Sequence, residues 1–192
     1  MTHRPDETIA KNDGIRYAPH PEGPHTAVCV DCLNLGERVE SFNGKTRITP
    51  KLALVFRSAE RREDGDPFEI SAEFTCSMHE RAGLRKFLEA WRGKPYTDEE
   101  ARAGVPVHKM AGVPALISVT HVTSNQGRSY AKIGSIMRLP KGLEPPDTGE
   151  YQRADYWADR KSEYAEAVIR QRALVAPSHD DLPDSLPDDL PF

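Results

Sequence analysis

The chain has 192 residues, 38% of them hydrophobic, a mean hydropathy of −0.64 and a formal net charge of −4. That length holds one domain of ordinary size plus tails, and no run approaches the roughly 18 apolar residues of a membrane span. Three cysteines, an odd number, and a polar start without an apolar run lead us to expect a cytosolic chain with reduced thiols.

Residues 1–24, with four prolines and two glycines, read as a flexible polar arm. A first strand is expected from His25 to Leu35, interrupted at Gly36 and resumed at 37–40; a glycine inside a long strand often marks a bulge. Asn43-Gly44 is a strong hairpin signal. The second strand, Arg47 to Ser58, alternates Leu52, Leu54 and Phe56 on one face with a partly basic face carrying Lys51 and Arg57. A third runs from Phe68 to Thr75 and places Glu69 and Glu73 on its polar side.

Ser77 with Glu80 forms a capping-box pattern that predicts a helix starting at Ser77 and stopped by Gly93. Thr97 with Glu100 predicts a second, shorter helix. Two strands follow, Leu116 to Thr123 and Ser129 to Leu139, around a loop with Gly127. Residues 143–176 read as a linker and a polar helix at Tyr151 to Leu174 that docks through Tyr156, Trp157, Tyr164, Val168 and Ile169. The order strand, strand, strand, helix, strand, strand predicts a mainly β fold, an OB-fold over residues 25–142. That is a five-stranded Greek-key barrel with its helix between strands three and four. A small sheet with a helix on one face is the alternative.

Residues 177–192 contain five Asp and no Lys or Arg. Taking those five from the 30 acids leaves 25 against 26 bases, so the remaining body is nearly neutral and free to bind a polyanion with one face. The segment closes on Asp188, Asp189, Leu190, Pro191 and Phe192. An aromatic ring beside carboxylates suits an apolar pocket with a basic rim; the plainer reading is a solubilising acidic end.

Asp188-Asp189-Leu190-Pro191-Phe192 resembles the acidic tip of bacterial and phage single-stranded DNA-binding proteins. The stretches Ser77-Met78-His79-Glu80, Trp91-Arg92-Gly93-Lys94-Pro95-Tyr96-Thr97 and Ser129-Tyr130-Ala131-Lys132-Ile133 are similar to phage-encoded proteins of that kind. The resemblance covers about residues 25–142 and the tip. It implies sequence-tolerant binding of single-stranded DNA in replication, recombination and repair within a bacterial host cell, with the tip recruiting partner enzymes. Oligomeric state stays open, a homo-oligomer included.

Single-strand binding needs cations along the phosphates and aromatic faces for unpaired bases. The candidate cations are Arg47, Lys51 and Arg57 on strand two, Arg92 and Lys94 after the first helix, Arg128 in the loop and Lys132 on the last strand. The stacking candidates are Tyr130, Phe42 at the hairpin and Trp91, although Trp91 at helical spacing with Leu84, Phe87 and Leu88 also fits a core. Alternating bases on a barrel are often only solvated, and Glu69 and Glu73 would repel phosphate. Cys29-x-x-Cys32 and Cys76-x-x-His79 have the residue types of a zinc site, but positions i and i+3 of a strand point to opposite faces; buried free thiols and no metal are expected. No Walker loop, His-Glu-x-x-His or nucleophile elbow occurs, so neither an enzyme nor a cofactor is expected. An RNA-binding β-barrel and a protein–protein adaptor are the rival readings. The acidic segment could also compete with DNA for a basic groove at low salt.

Overall fold

A computed structural model describes residues 18–124, 127 and 129–175. The arm before residue 18, Arg128 in the loop, and the segment from 176 to the Asp188–Phe192 tip lie outside the described residues. Five strands, β1 (Gly23–Phe42), β2 (Lys45–Arg61), β3 (Pro67–Thr75), β4 (Pro114–Thr123) and β5 (Ser129–Arg138), form one antiparallel sheet in the order β3-β2-β1-β4-β5. Its first four strands therefore lie in the spatial order 4-1-2-3 of a Greek key. Parts of the two edge strands, β3 and β5, come within 8 Å of each other at their Cα atoms. Helices α1 (Gly83–Arg92) and α2 (Asp98–Ala103) and a 3-10 turn (Val107–Met110) join β3 to β4, and α3 (Tyr156–Val175) follows β5. Among the described residues no helix is long and apolar enough to cross a membrane.

Local chemistry explains the turns. Asn43 (φ 50°) and Gly44 (φ 72°) both take positive φ between β1 and β2, the requirement of a two-residue type I′ hairpin. Gly36 (φ 77°) sits at a register shift between Asn34 and Gly36, as its place in the strand predicts. Helix α2 carries the expected capping box of Thr97 and Glu100, and Gly93 closes α1 in the left-handed conformation.

Helix α1 does not begin at Ser77. It starts at Gly83, with Ala82 as an N-cap that makes no side-chain hydrogen bond. The Ser77 hydroxyl instead accepts from the His79 amide at 3.2 Å, and Ala82 N–H donates to His79 O at 2.8 Å, so a separate turn uses the groups a cap would need. Helix α3 starts at Tyr156 rather than Tyr151.

A second register shift, between Cys29 and Asp31, decides which core each residue of β1 enters. Ala27 and Cys29 pack with Leu54, Phe56, Leu88, Trp91, Ile117 and Val119 between sheet and α1. Leu33 and Leu35 have the same parity, yet they pack on the other side with Ala53, Val55 and Trp157. One extra residue in a strand turns every later side chain to the opposite face. On β2, Leu52 to Phe56 are all buried, alternately in the two cores. The second, partly basic face of β2 is covered at Ala53 and Val55 by Trp157 of α3.

Candidate nucleic-acid interface

A cleft of about 770 Å³ opens between the two edge strands, where Phe68, Glu69 and Ser71 of β3 face Ser129 and Tyr130 of β5. His20, Arg57 and Arg62 also line it, and Tyr156 at the first turn of α3 contributes an aromatic wall. Tyr130 is 50% exposed and Tyr156 47%, so each offers ring surface to a ligand. The Tyr156 ring leans on Trp157 with centroids 4.8 Å apart. Its hydroxyl is pushed up to about 12 by burial, then by Glu69, against the pull of Arg160, and stays protonated at neutral pH. Nothing in the local sequence marks Tyr156 as a partner of this cleft; it arrives there because α3 folds back on the sheet.

The basic residues divide into two sets. Lys51 is buried, its Nζ 2.5 Å from Glu40 Oε1 and 2.8 Å from Thr75 Oγ1; it ties three strands together and is not a phosphate contact. Hydrogen bonding from Lys51 outweighs burial and holds the Glu40 carboxyl below its usual range. Arg57 donates to Glu69 Oε2 at 3.4 Å and to the carbonyls of Thr148 and Glu150 at 3.1 and 2.9 Å, with its guanidinium 5.1 Å over the Tyr151 ring. It fastens the chain that follows β5. Burial raises the Glu69 carboxyl, against the downward pull of Arg57. Arg92 bonds Glu100 at 3.1 and 3.3 Å and stacks over Tyr96 at 4.1 Å.

Arg47, Lys94 and Lys132 form the second set: all three are exposed. Phe42, 78% exposed, and Arg47 lie on opposite strands of the same hairpin. Tyr130 and Lys132 lie two positions apart on β5, opposite Val122 and Thr120 of β4, and so share a face. Lys94 stands apart from both, just beyond α1.

Trp91 is corrected to a core residue. It is 3% exposed, its Nε1 donates to Pro114 O at 3.0 Å, and its ring packs 5.2 Å from Phe56. Only its edge reaches a cavity of about 660 Å³ that Arg92, Tyr96 and Met110 also line.

The cysteines also depart from expectation. Cys29 Sγ and Cys32 Sγ are 3.9 Å apart rather than on opposite faces, because the register shift falls between them. Cys76 is exposed. Among the described residues no three His, Cys, Asp or Glu side chains converge to hold a metal ion.

Comparison with protein-family models, with curated proteins and with solved structures finds no match to this chain.

Proposed function

We propose that this chain binds single-stranded DNA with little sequence preference, and that its Asp188–Phe192 tip recruits replication, recombination or repair enzymes. The observation that carries the reading is the exposed Tyr130, set beside Lys132 on an edge strand and opening on a cleft that Tyr156 also lines. Aromatic faces for bases with unpaired cations for phosphates are what a sequence-tolerant single-strand site needs. The exposed Phe42 with Arg47 on the β1–β2 hairpin extends the same chemistry.

The sheet order supports an OB-fold as the frame, since β1 lies between β2 and β4 and the free edges are β3 and β5. In that fold the loops joining strands one to two and four to five flank the groove. Here Phe42 ends β1 beside the first of those loops, and Arg128 falls between β4 and β5 in the sequence. The ion-paired Arg57, Arg62 and Glu69 make the cleft close to neutral, so affinity rests on stacking and on the exposed Arg47, Lys94 and Lys132.

Fluorescence anisotropy of a labelled oligo-dT, titrated at low and moderate salt, tests this. Binding that weakens with salt and persists across base compositions is expected; no binding at low salt would sink the reading. Competition with an RNA of matched sequence separates DNA from RNA preference. Deleting Phe192 should abolish capture of a partner enzyme while leaving oligo-dT affinity intact or raised.

A further inference from the structure

The register shift in β1 has a chemical consequence. Cys29 is opposite Phe56, Asp31 opposite Val55 and Cys32 opposite Leu54. Three steps along β1 therefore cover only two along β2, about 6.6–6.8 Å at the rise of an antiparallel strand. That spacing meets the upper end of the roughly 4.4–6.8 Å at which two Cα atoms accept a disulfide, whereas an unbulged strand would hold the same pair near 10 Å. The two-residue spacing also turns both sulfurs to one side, where they stand 3.9 Å apart.

We propose that Cys29 and Cys32 form a reversible redox pair, closed to an intrachain disulfide by a small disulfide such as glutathione disulfide.

Access differs between the two thiols. Cys29 is fully buried, and its backbone is pinned by hydrogen bonds with Val113 O (3.0 Å) and Gly112 N (2.7 Å). Cys32 is half-buried, and its side chain packs against the same core as Cys29, on the side of Met110 and Ala111. The Cys29 thiol, hydrogen-bonded to Cys32, holds the Cys32 thiol below the usual cysteine value; the same contact, with burial, pushes Cys29 up. Cys32, the thiol within reach of solvent, is the attacking group, and the fully buried Cys29 is the resolving thiol.

The exchange runs in two balanced steps. The Cys32 thiolate attacks one sulfur of glutathione disulfide, forms a mixed disulfide and releases one glutathione thiolate. Cys29 then loses its proton and attacks Cys32 Sγ; the Cys29–Cys32 bond forms as the second glutathione thiolate leaves. The protein loses two electrons and two protons, and one glutathione disulfide becomes two glutathione thiols. The same exchange run backward by a thiol or dithiol reopens the bridge, which makes the step reversible. It spans the bulge that presents Asp31 to Tyr151 and Arg153.

The test uses full-length protein carrying Cys76→Ser, which leaves only the pair. After treatment with glutathione disulfide, the protein is unfolded, alkylated with N-ethylmaleimide and weighed intact. We expect no maleimide adducts, a mass lower by about 2 Da for the two lost hydrogens, a monomer on a non-reducing gel, and recovery of both thiols with dithiothreitol. Adding Cys29→Ala should trap one glutathione on Cys32. Retention of two alkylated thiols, or only glutathione adducts or linked dimers in the Cys76→Ser protein, would overturn the proposal. Because that result stands without the core substitution, it decides the matter even where Cys29→Ala folds poorly.

Discussion

Asp31 and Arg153 meet at two points, Nε to Oδ2 at 2.7 Å and Nη2 to Oδ1 at 2.9 Å, across 122 positions of sequence. Tyr151 adds its hydroxyl to Oδ2 at 3.1 Å. This is the clasp that seats the segment leading into α3. Farther along, Arg160 pairs with Glu73, Tyr164 donates to Glu73 Oε2 at 2.9 Å, and Trp157 fills the second core. Burial pushes the Asp31 carboxyl up, but bonds from Arg153 and Tyr151 outweigh it and leave the group below its usual value.

Asp31→Asn keeps the shape of the clasp and removes its charge. Arg153 is largely exposed, so the global cost should be only about 1 kcal/mol. Amide exchange of α3 should accelerate while exchange of β1 and β2 stays near that of the unchanged protein; equal acceleration everywhere would contradict a local clasp. The depressed carboxyl contributes stability present above its unfolded value of about 4 and lost as pH falls below it. The substitution should therefore flatten the acid limb of Tm against pH.

Trp91 and Lys51 should act on stability and not on DNA. Trp91→Ala removes a buried ring and should cost about 3–5 kcal/mol in urea unfolding. Lys51→Met removes the donor to Glu40 Oε1 and Thr75 Oγ1 and should cost about 1–3 kcal/mol. Trp91→Phe, which folds more readily, should bind oligo-dT as the unchanged protein does. Weaker binding by a fully folded Trp91→Phe would reinstate stacking.

Tyr130 and Lys132 should show the reverse pattern. Tyr130→Ala should weaken oligo-dT binding by about 1–3 kcal/mol, roughly 5- to 150-fold. Lys132→Ala should reduce the slope of log affinity against log salt by about 0.7. Both sit on an exposed face, so melting should move by less than about 0.5 kcal/mol in stability.

His20 supplies a pH dependence of its own. It is 3% exposed, its Nε2 is 2.8 Å from Ser58 Oγ, and its ring packs 5.1 Å from Phe68. Burial lowers its pKa; the Pro21 carbonyl opposes this and His25 adds to it. The unfolded chain thus binds a proton more readily than the folded one. Stability should be intact above about pH 6.5, the unfolded value, and fall as pH drops below it. His20→Asn should flatten Tm against pH below about 6.5; an unchanged slope would assign the effect to another group.

The readable parts of the fold were those governed by a few neighbouring residues. Asn43-Gly44, Gly36, Gly93 and the Thr97 box each act through local φ, ψ or a hydrogen bond three residues away. Alternation of Leu52, Leu54 and Phe56 likewise identified one core face of β2. Ser77 carried an equally good local signal and went unused, because Arg85 donates to both Met78 O and Tyr96 O and holds that stretch as a separate turn. The bulge at Cys29–Asp31 has no glycine to announce it, which is why the cysteines were expected on opposite faces.

By itself the sequence determined a mainly β chain with its hairpins, its chief helix stop and an acidic final segment, since alternation and turn chemistry are short-range properties. Which cations remain available was decided by tertiary structure alone. Arg57 is taken up by groups 12, 91 and 93 positions away and Lys51 by groups 11 and 24 away, while Arg47, Lys94 and Lys132 stay exposed. A charge on a strand is solvated or neutralised according to what the fold brings within hydrogen-bond reach, and no spacing along the chain encodes that.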